Sequence, residues 1–356
     1  MLKTSIMDRF GLAQPVIQAP MAGGGDTPAL VAQVGNAGGL GFIGAAYLTP
    51  GQIADAAKAI RAQSSHPFGI NLFIPDSEPA STAGMAATLA RIAPYFAELG
   101  LPAPQAPTGR IVDFEAQLDA VLESGAAALS FTFGILPAAA LAAAKARGLM
   151  VLGTATTVRE AEALVAIGVD GIVAQGAEAG GHRGTFARDA EPALIGTMAL
   201  VPQIVDRVRL PVIAAGGIMD GRGIVAALSL GAQAVQLGTA FLACNESGIP
   251  AAYRATLLAA SEEETDVTRA FSGRAARGIV NRFMREWGAP LPFPLQNELT
   301  RPLRSAAAKA GRAEFLSLWA GQGVRMARAD AAVELMRRLN EETEAALRML
   351  GVQNPA

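Results

Sequence analysis

The chain has 356 residues, a formal net charge of -2, 51% hydrophobic and 17% charged residues, and 39 glycines. That length supports a large core, either one barrel with an appendage or two ordinary domains, and the composition is that of a compact fold rich in tight turns. Near-zero charge removes the electrostatic case for nucleic acid, and a lone cysteine, Cys244, leaves no internal disulfide and no cysteine-based metal site; no metal is expected.

The first ten residues, MLKTSIMDRF, place Asp8 and Arg9 where a signal peptide would need its apolar core, so no secretory signal is read and the cytoplasm is the default location. Further on, the longest apolar stretches, such as residues 135–144, are broken by Pro137 and ended by Lys145, far short of the roughly 20 residues that cross a bilayer. Short apolar runs at residues 16–20, 40–44, 68–73, 129–133, 150–153, 171–175, 212–215 and 234–238 each end in glycine or a polar residue and read as strands. Helical periodicity fills the gaps at 49–61, 137–147, 158–167, 197–208 and 220–230. The first of these is well specified, with Thr49 as cap, Pro50 at the first helical position and Gln52 completing a capping box. Gly231 stops the last.

Eight βα units close naturally as a TIM (β/α)8 barrel, expected over residues 1–74 and 116–244. The proline-rich stretch 75–115 and the helical stretch 245–356 break the rhythm and are expected to form a mostly helical insertion and C-terminal subdomain serving as lid and substrate pocket. Proline-rich residues 101–107 read as a stiff connection.

In such barrels the reactive groups sit on loops after the strands, and phosphate commonly binds after strands 7 and 8. Ala215-Gly216-Gly217-Ile218 and Gln236-Leu237-Gly238-Thr239 fall there. Glycine lets backbone N–H groups approach a phosphate closely, and Thr239 adds a hydroxyl. Asp220 reads as a helix cap whose carboxylate points away. The sixth unit ends in AQGAEAGGHRG, where Gly180, Gly181 and their neighbours flank His182, a rim histidine on what reads as a mobile backbone, suited to act as base or cation. Asn71, Gln175 and Gly180 are plausible polar groups of the same pocket. His66, before Pro67, lies at the opposite end. Gly39-Leu40-Gly41-Phe42-Ile43-Gly44 matches G-x-G-x-x-G, yet the motif is itself the apolar run and the helix begins only at Thr49, so it is assigned to the barrel wall and not to a dinucleotide.

Gln18-Ala19-Pro20-Met21-Ala22-Gly23-Gly24, AQGAEAGGHRG, AAGGI and QLGTAF, together with Asn71-Leu72-Phe73, Ser130-Phe131-Thr132-Phe133-Gly134, Phe271-Ser272-Gly273-Arg274 and Leu318-Trp319-Ala320-Gly321-Gln322-Gly323, resemble the nitronate monooxygenase family over nearly the whole chain. The resemblance implies an FMN-bound barrel that oxidises alkyl nitronates, propionate 3-nitronate among them, with O2 to a carbonyl compound and nitrite, without nicotinamide. It puts the motif histidine on His182, FMN contacts on Asn71, Gln175, Gly180, Gly217, Gln236, Leu237, Gly238 and Thr239, and the flavin-lining loop on Met21, Ala22 and Gly23. A protonated or hydrogen-bonding His182 would hold the nitronate oxygens, or a neutral one would take the α-proton of a nitroalkane. A homodimer is entertained as the assembly.

The FMN-dependent, NADH-linked enoyl-acyl carrier protein reductases share the glycine-histidine and AAGGI segments and form the alternative; the FTFG strand, the RGTF after the histidine and LWAGQG favour the nitronate enzymes. A barrel of the IMP dehydrogenase type would need a nucleophilic cysteine in an active loop, and Cys244 lies past the last strand. A non-catalytic flavin sensor is the reading from another class.

Overall fold

Eight parallel strands close into a barrel in the computed structural model, which describes residues 3–76, 80–109 and 112–351. They are β1 (Val16–Gln18), β2 (Leu40–Gly44), β3 (Phe68–Phe73), β4 (Ala128–Thr132), β5 (Met150–Ala155), β6 (Gly171–Gln175), β8 (Val212–Ala215) and β9 (Ala234–Leu237), with a short β7 (Gly181–His182) between β6 and β8. Closure is made by β1, which pairs with β2 on one side and with β9 on the other. All eight lie where the apolar runs put them, because a strand covered on both faces is apolar throughout.

The two faces of each strand take different partners. On β2, Leu40 and Phe42 point inward to a cluster with Ile17, Leu152 and Ile213, while Ile43 faces the surrounding helices. Phe42 occupies the barrel axis beside Gly69, where an added Cβ would stand 2.2 Å from its ring. The helix Ser5–Phe10 joins the interior cluster through Ile6, Met7 and Phe10 and stoppers the end at which the strands begin. The opposite end is left for a ligand.

The glycines of the 39–44 run serve packing, as the sequence suggests. A Cβ on Gly41 would lie 2.7 Å from Val31 Cα in the helix Pro28–Asn36, and one on Gly44 would lie 2.5 Å from the Ala22 amide. The helix Pro50–Arg61 starts with the full Thr49/Gln52 capping box. At Asp220 the carboxylate caps the helix Gly221–Ser229 by accepting from the amides of Arg222 and Gly223.

Outside the barrel, the helix Met85–Glu98 contributes Ile92 and Phe96 to a second core with Tyr253, Phe271, Phe283, Leu299 and Phe315. So the proline-rich insertion and the C-terminal stretch share one apolar centre. Two features depart from a purely helical appendage. The strands β10 (Thr265–Thr268) and β11 (Ala276–Ile279) form an antiparallel sheet with β7. The helix Ala332–Met349 returns to the barrel, where Ala332, Leu335, Met336 and Leu339 join the main core. No helix among the described residues is long and apolar enough to cross a membrane, and no group of three or more His, Cys, Asp or Glu side chains is placed to hold a metal.

Candidate active site

A cavity of about 560 Å³ opens at the end of the barrel where the strands finish, inside the range of about 300–1,000 Å³ usual for small-molecule sites. Its floor is made by β-strand ends, including Asn71, Ser130, Gln175 and Gln236, and its roof by the C-terminal segments that carry Tyr253, Arg301, Arg304 and Trp319.

His182 stands inside this cavity, and its backbone is pinned rather than mobile. Strand β7 pairs with β11, bringing His182 opposite Ala276 and Gly181 opposite Arg277. Gln175 donates to the His182 carbonyl (3.0 Å) and accepts from the Gly184 amide (2.8 Å). The buried Arg183 guanidinium donates to the carbonyls of Gly176 and Gln175. The flanking glycines permit contact instead of motion: a Cβ on Gly180 would lie 2.5 Å from the carbonyl carbon of Ala320 and from the Gly321 amide. Gly181 has a φ of 77°, a region that favours glycine.

The imidazole lies among the rings of Phe73, Phe133 and Trp319, at centroid distances of 6.0, 5.7 and 5.7 Å. Phe133 holds its ring there with a left-handed φ of 79°, a strain of order 1–3 kcal/mol. Nε2 of His182 is 2.9 Å from Ser272 Oγ, which itself donates to the Arg274 carbonyl at 3.2 Å. Burial, reinforced by the positive charges of Arg274 and Arg304, pushes the imidazole down to about 3. Of the two states expected for this histidine, the environment holds the neutral one at physiological pH, and the cationic role passes to arginines.

Arg304 comes with Arg301 from the helix Leu295–Ala310, whose residues Asn297, Arg301, Arg304, Ser305 and Ala308 line the cavity at the spacing of one helical face. Arg304 donates to Asn297 Oδ1 (2.8 Å), while its Nε is buried without a partner. Arg301 lies at the exposed mouth, its guanidinium 5.4 Å from the Tyr47 ring centroid. Arg274 is paired with Asp76 and lies 4.2 Å over the Phe133 ring.

On the other side of the cavity, Gly216 and Gly217 take φ of 111° and 73°, and a Cβ on Gly216 would come within 3.0 Å of the Ala179 amide. Glu178 fixes this corner: its carboxylate accepts from the Thr197 amide and hydroxyl at 2.9 Å, and the Thr197 hydroxyl is also 2.9 Å from the Gly216 carbonyl. Thr239 Oγ1 accepts from the Gly321 amide (2.9 Å), which leaves its own hydrogen to donate. The loop carrying Met21, Ala22 and Gly23 is anchored by Asp26, whose carboxylate accepts from the amides of Met21 and Gly44. Burial lifts Asp26 to about 6.

Every site residue expected from the sequence lines the cavity except Leu237. Its side chain turns outward into the core between the barrel and its helices, because the strand alternates faces there, and its carbonyl accepts from the Ala19 amide. Gln175 spends both amide atoms on the histidine loop, and Asn71 donates to Ser130 Oγ (2.8 Å). His66 is exposed away from the site. Cys244 is buried, and its thiol is pushed up to about 12 by that burial, so it is no nucleophile. Tyr47, Ser272, Asn297, Arg301, Arg304 and Trp319 went unassigned from sequence. Trp319 and Ser272 at least lay in motifs already singled out; the helix arginines carried no such mark.

A barrel whose ligand cavity surrounds a neutral, aromatic-boxed histidine under an arginine-bearing roof defines a TIM-barrel enzyme for a small molecule. The profile of the nitronate monooxygenase family matches residues 4–342, and the chain belongs to that family of oxidoreductases. A probable nitronate monooxygenase of Staphylococcus aureus (strain Newman) is 41% identical over 342 residues, spanning 95% of this chain and 96% of the relative. Among solved structures, nitroalkane oxidase from Streptomyces ansochromogenes is 42% identical with a TM-score of 0.91, covering 97% of this chain and 99% of that one. FabK from Thermotoga maritima is further off, at 27% identity and a TM-score of 0.77, with 99% of both chains covered.

Proposed function

We propose that this enzyme binds FMN and oxidises alkyl nitronates with O2 to a carbonyl compound and nitrite. The observation that carries the reading is the neutral His182, boxed by Phe73, Phe133 and Trp319, held beside a positively charged wall of the cavity. A nitronate is a small anion, and this arrangement offers it charge without offering an acid strong enough to protonate it.

The residues suit FMN. Gly216, Gly217 and Gly238 line the cavity at the loops after β8 and β9, the first two with left-handed φ, so bare backbone faces the ligand there, and Thr239 has a hydroxyl hydrogen to give a phosphate. Met21, Ala22 and Gly23 provide a loop on which a flat ring system can lie, with Asn71 Oδ1 and Gln236 as polar partners. When bound, the flavin supplies the electron transfer between substrate and oxygen that no side chain here performs.

The protein's share is binding and proton handling. With the Ser272 hydroxyl donated to the Arg274 carbonyl, Ser272 Oγ accepts from Nε2–H, and the Nδ1 lone pair of His182 remains as the base. For a neutral nitroalkane that base takes the α-proton; a preformed nitronate needs only the positive wall and the dry cavity. The test is an aerobic assay of oxygen uptake and nitrite release over a panel of nitronates, with and without NADH. Nitrite release without NADH is expected. Absence of nitrite from every member, or dependence on NADH, overturns the reading.

A further inference from the structure

Asp26 forms no part of the cavity wall, yet the loop Met21–Gly25, which does, takes its shape from that carboxylate. Oδ2 of Asp26 accepts from the Met21 amide at the start of the loop and from the Gly44 amide at the end of β2, the second at 2.8 Å. One oxygen thus ties the loop to a barrel strand. The two meet backbone to backbone, since a Cβ on Gly44 would stand 2.5 Å from the Ala22 amide nitrogen. The far end of the loop has other fastenings: Ser247 Oγ donates to the Gly25 carbonyl (2.9 Å) and Thr27 Oγ1 to the Glu246 carbonyl (2.6 Å). Between that end and Ala19, whose amide donates to the Leu237 carbonyl, Asp26 supplies the tie. Gly23 and Gly24 at the tip are exposed, with φ of 100° and 108°, and bring no side chain to pack.

No cation balances this carboxylate. Desolvation raises it, the Met21 and Gly44 amides lower it, and no charged side chain among the described residues contributes. Of the titratable groups on the packed elements, Glu246 turns its carboxylate to the Ala332 amide, Cys244 is buried in the main core, and Tyr47 beyond β2 responds to Arg304, Arg301 and Arg274. The raised value, about 6 against an ordinary 3.8, means that ionising Asp26 destabilises the fold, an effect that sets in as pH rises through that interval and is absent below it. An uncharged side chain of the same shape would suit the fold at least as well. What the charge adds is strength in the bonds to two amides.

We infer that Asp26 is a positioning residue whose ionised carboxylate latches the loop Met21–Gly25 against β2 in the shape that receives the flavin ring. Protonation replaces two charge-assisted bonds by neutral ones, roughly half as strong, and the loop then leaves the strand more often. Flavin affinity therefore falls as pH falls through about 6. The flavin half of this inference rests on the proposed cofactor; the latch rests on the geometry.

Hydrogen exchange of the 19–25 segment in the apoprotein, corrected for the intrinsic pH dependence of exchange, tests the latch. Fluorescence quenching tests its effect, with FMN for comparing variants at one pH and riboflavin for the pH profile, because the FMN phosphate itself ionises near about pH 6. In the wild type, protection and riboflavin affinity are each expected to drop roughly tenfold from about pH 8 to about pH 5. Asp26→Asn should show the low values of both throughout, and its apoprotein should melt no lower than wild type at the higher pH, because it loses a desolvated charge. A merely structural Asp26 would lower the melting temperature and leave both profiles flat. A flat wild-type exchange profile overturns the latch, as does an Asp26→Asn that stays within twofold of wild type or keeps its pH dependence. The wild-type profile needs no variant, so a poorly folding Asp26→Asn does not shield the inference. If neither flavin binds the wild type, the flavin reading falls, and exchange alone upholds or overturns the latch.

Discussion

His182 shows how one environment chooses between two roles for the same side chain. Desolvation opposes the imidazolium, and the nearby Arg274 and Arg304 oppose it again, so both push the same way and the group settles at about 3. This lowering keeps His182 deprotonated throughout the neutral range but also weakens it as a base, so proton abstraction from a neutral nitroalkane relies on the arginine charges to stabilise the nitronate formed. Accordingly, kcat/KM for a nitroalkane should show no inflection from this residue near pH 6.5, the usual imidazole value; an inflection there that disappears in His182→Gln would contradict the neutral site. His182→Ala should lower kcat/KM for neutral nitroalkanes by on the order of 10²–10⁴-fold and for preformed nitronates much less, measured by initial rates on the two substrate forms. Equal losses on both would remove the base from the mechanism. That a histidine belongs here is legible in AQGAEAGGHRG; that it is neutral is not, because Ser272, Arg274 and Arg304, which face it, are 90 and more positions away in the chain.

At the scale of elements, legibility follows how a segment is covered. The eight barrel strands announce themselves as apolar runs since helices lie outside and side chains fill the inside. The strands β7, β10 and β11 do not. They are two to four residues long, and three of the four residues in Thr265–Thr268 are polar, with none of the four fully buried. The helix Leu295–Ala310 hides differently: Asn297, Arg301 and Arg304 at helical spacing look like a solvated face, and only the cavity above the barrel turns that face into a wall. Glycine is the misleading letter in the histidine loop, suggesting flexibility where it provides close approach. Gly180→Ala forces a methyl against the backbone of Ala320 and Gly321, so it should cost about 1–3 kcal/mol and shift His182, lowering both the melting temperature and kcat. Gly181→Ala has open space and should cost only its backbone strain, about 1–2 kcal/mol. If the two variants melt and turn over alike, the packing account of Gly180 is wrong.

For the whole molecule, the cavity is a joint product of two cores. The barrel contributes the strand ends and glycine loops, and the outer core contributes Tyr253, Trp319 and the arginine face. A ligand filling the space between them should stabilise both at once. Titrating FMN into the apoprotein should raise the melting temperature with concentration, by about 2.7 kcal/mol of stability at one hundred times its Kd, and as a single transition if the cores melt together. A flat melting curve at millimolar FMN would speak against the proposed cofactor.

The pairing of β7 with β11 also imposes an order on assembly. His182 is translated well before Ala276, its ladder partner, and before the Trp319–Gly321 segment that closes over it. A chain made only as far as the eighth barrel strand therefore still lacks the partners that fasten this imidazole, as well as the helix Ala332–Met349 that completes the main core. The imidazole is fastened only once Ala276 and the Trp319–Gly321 segment have folded back over it.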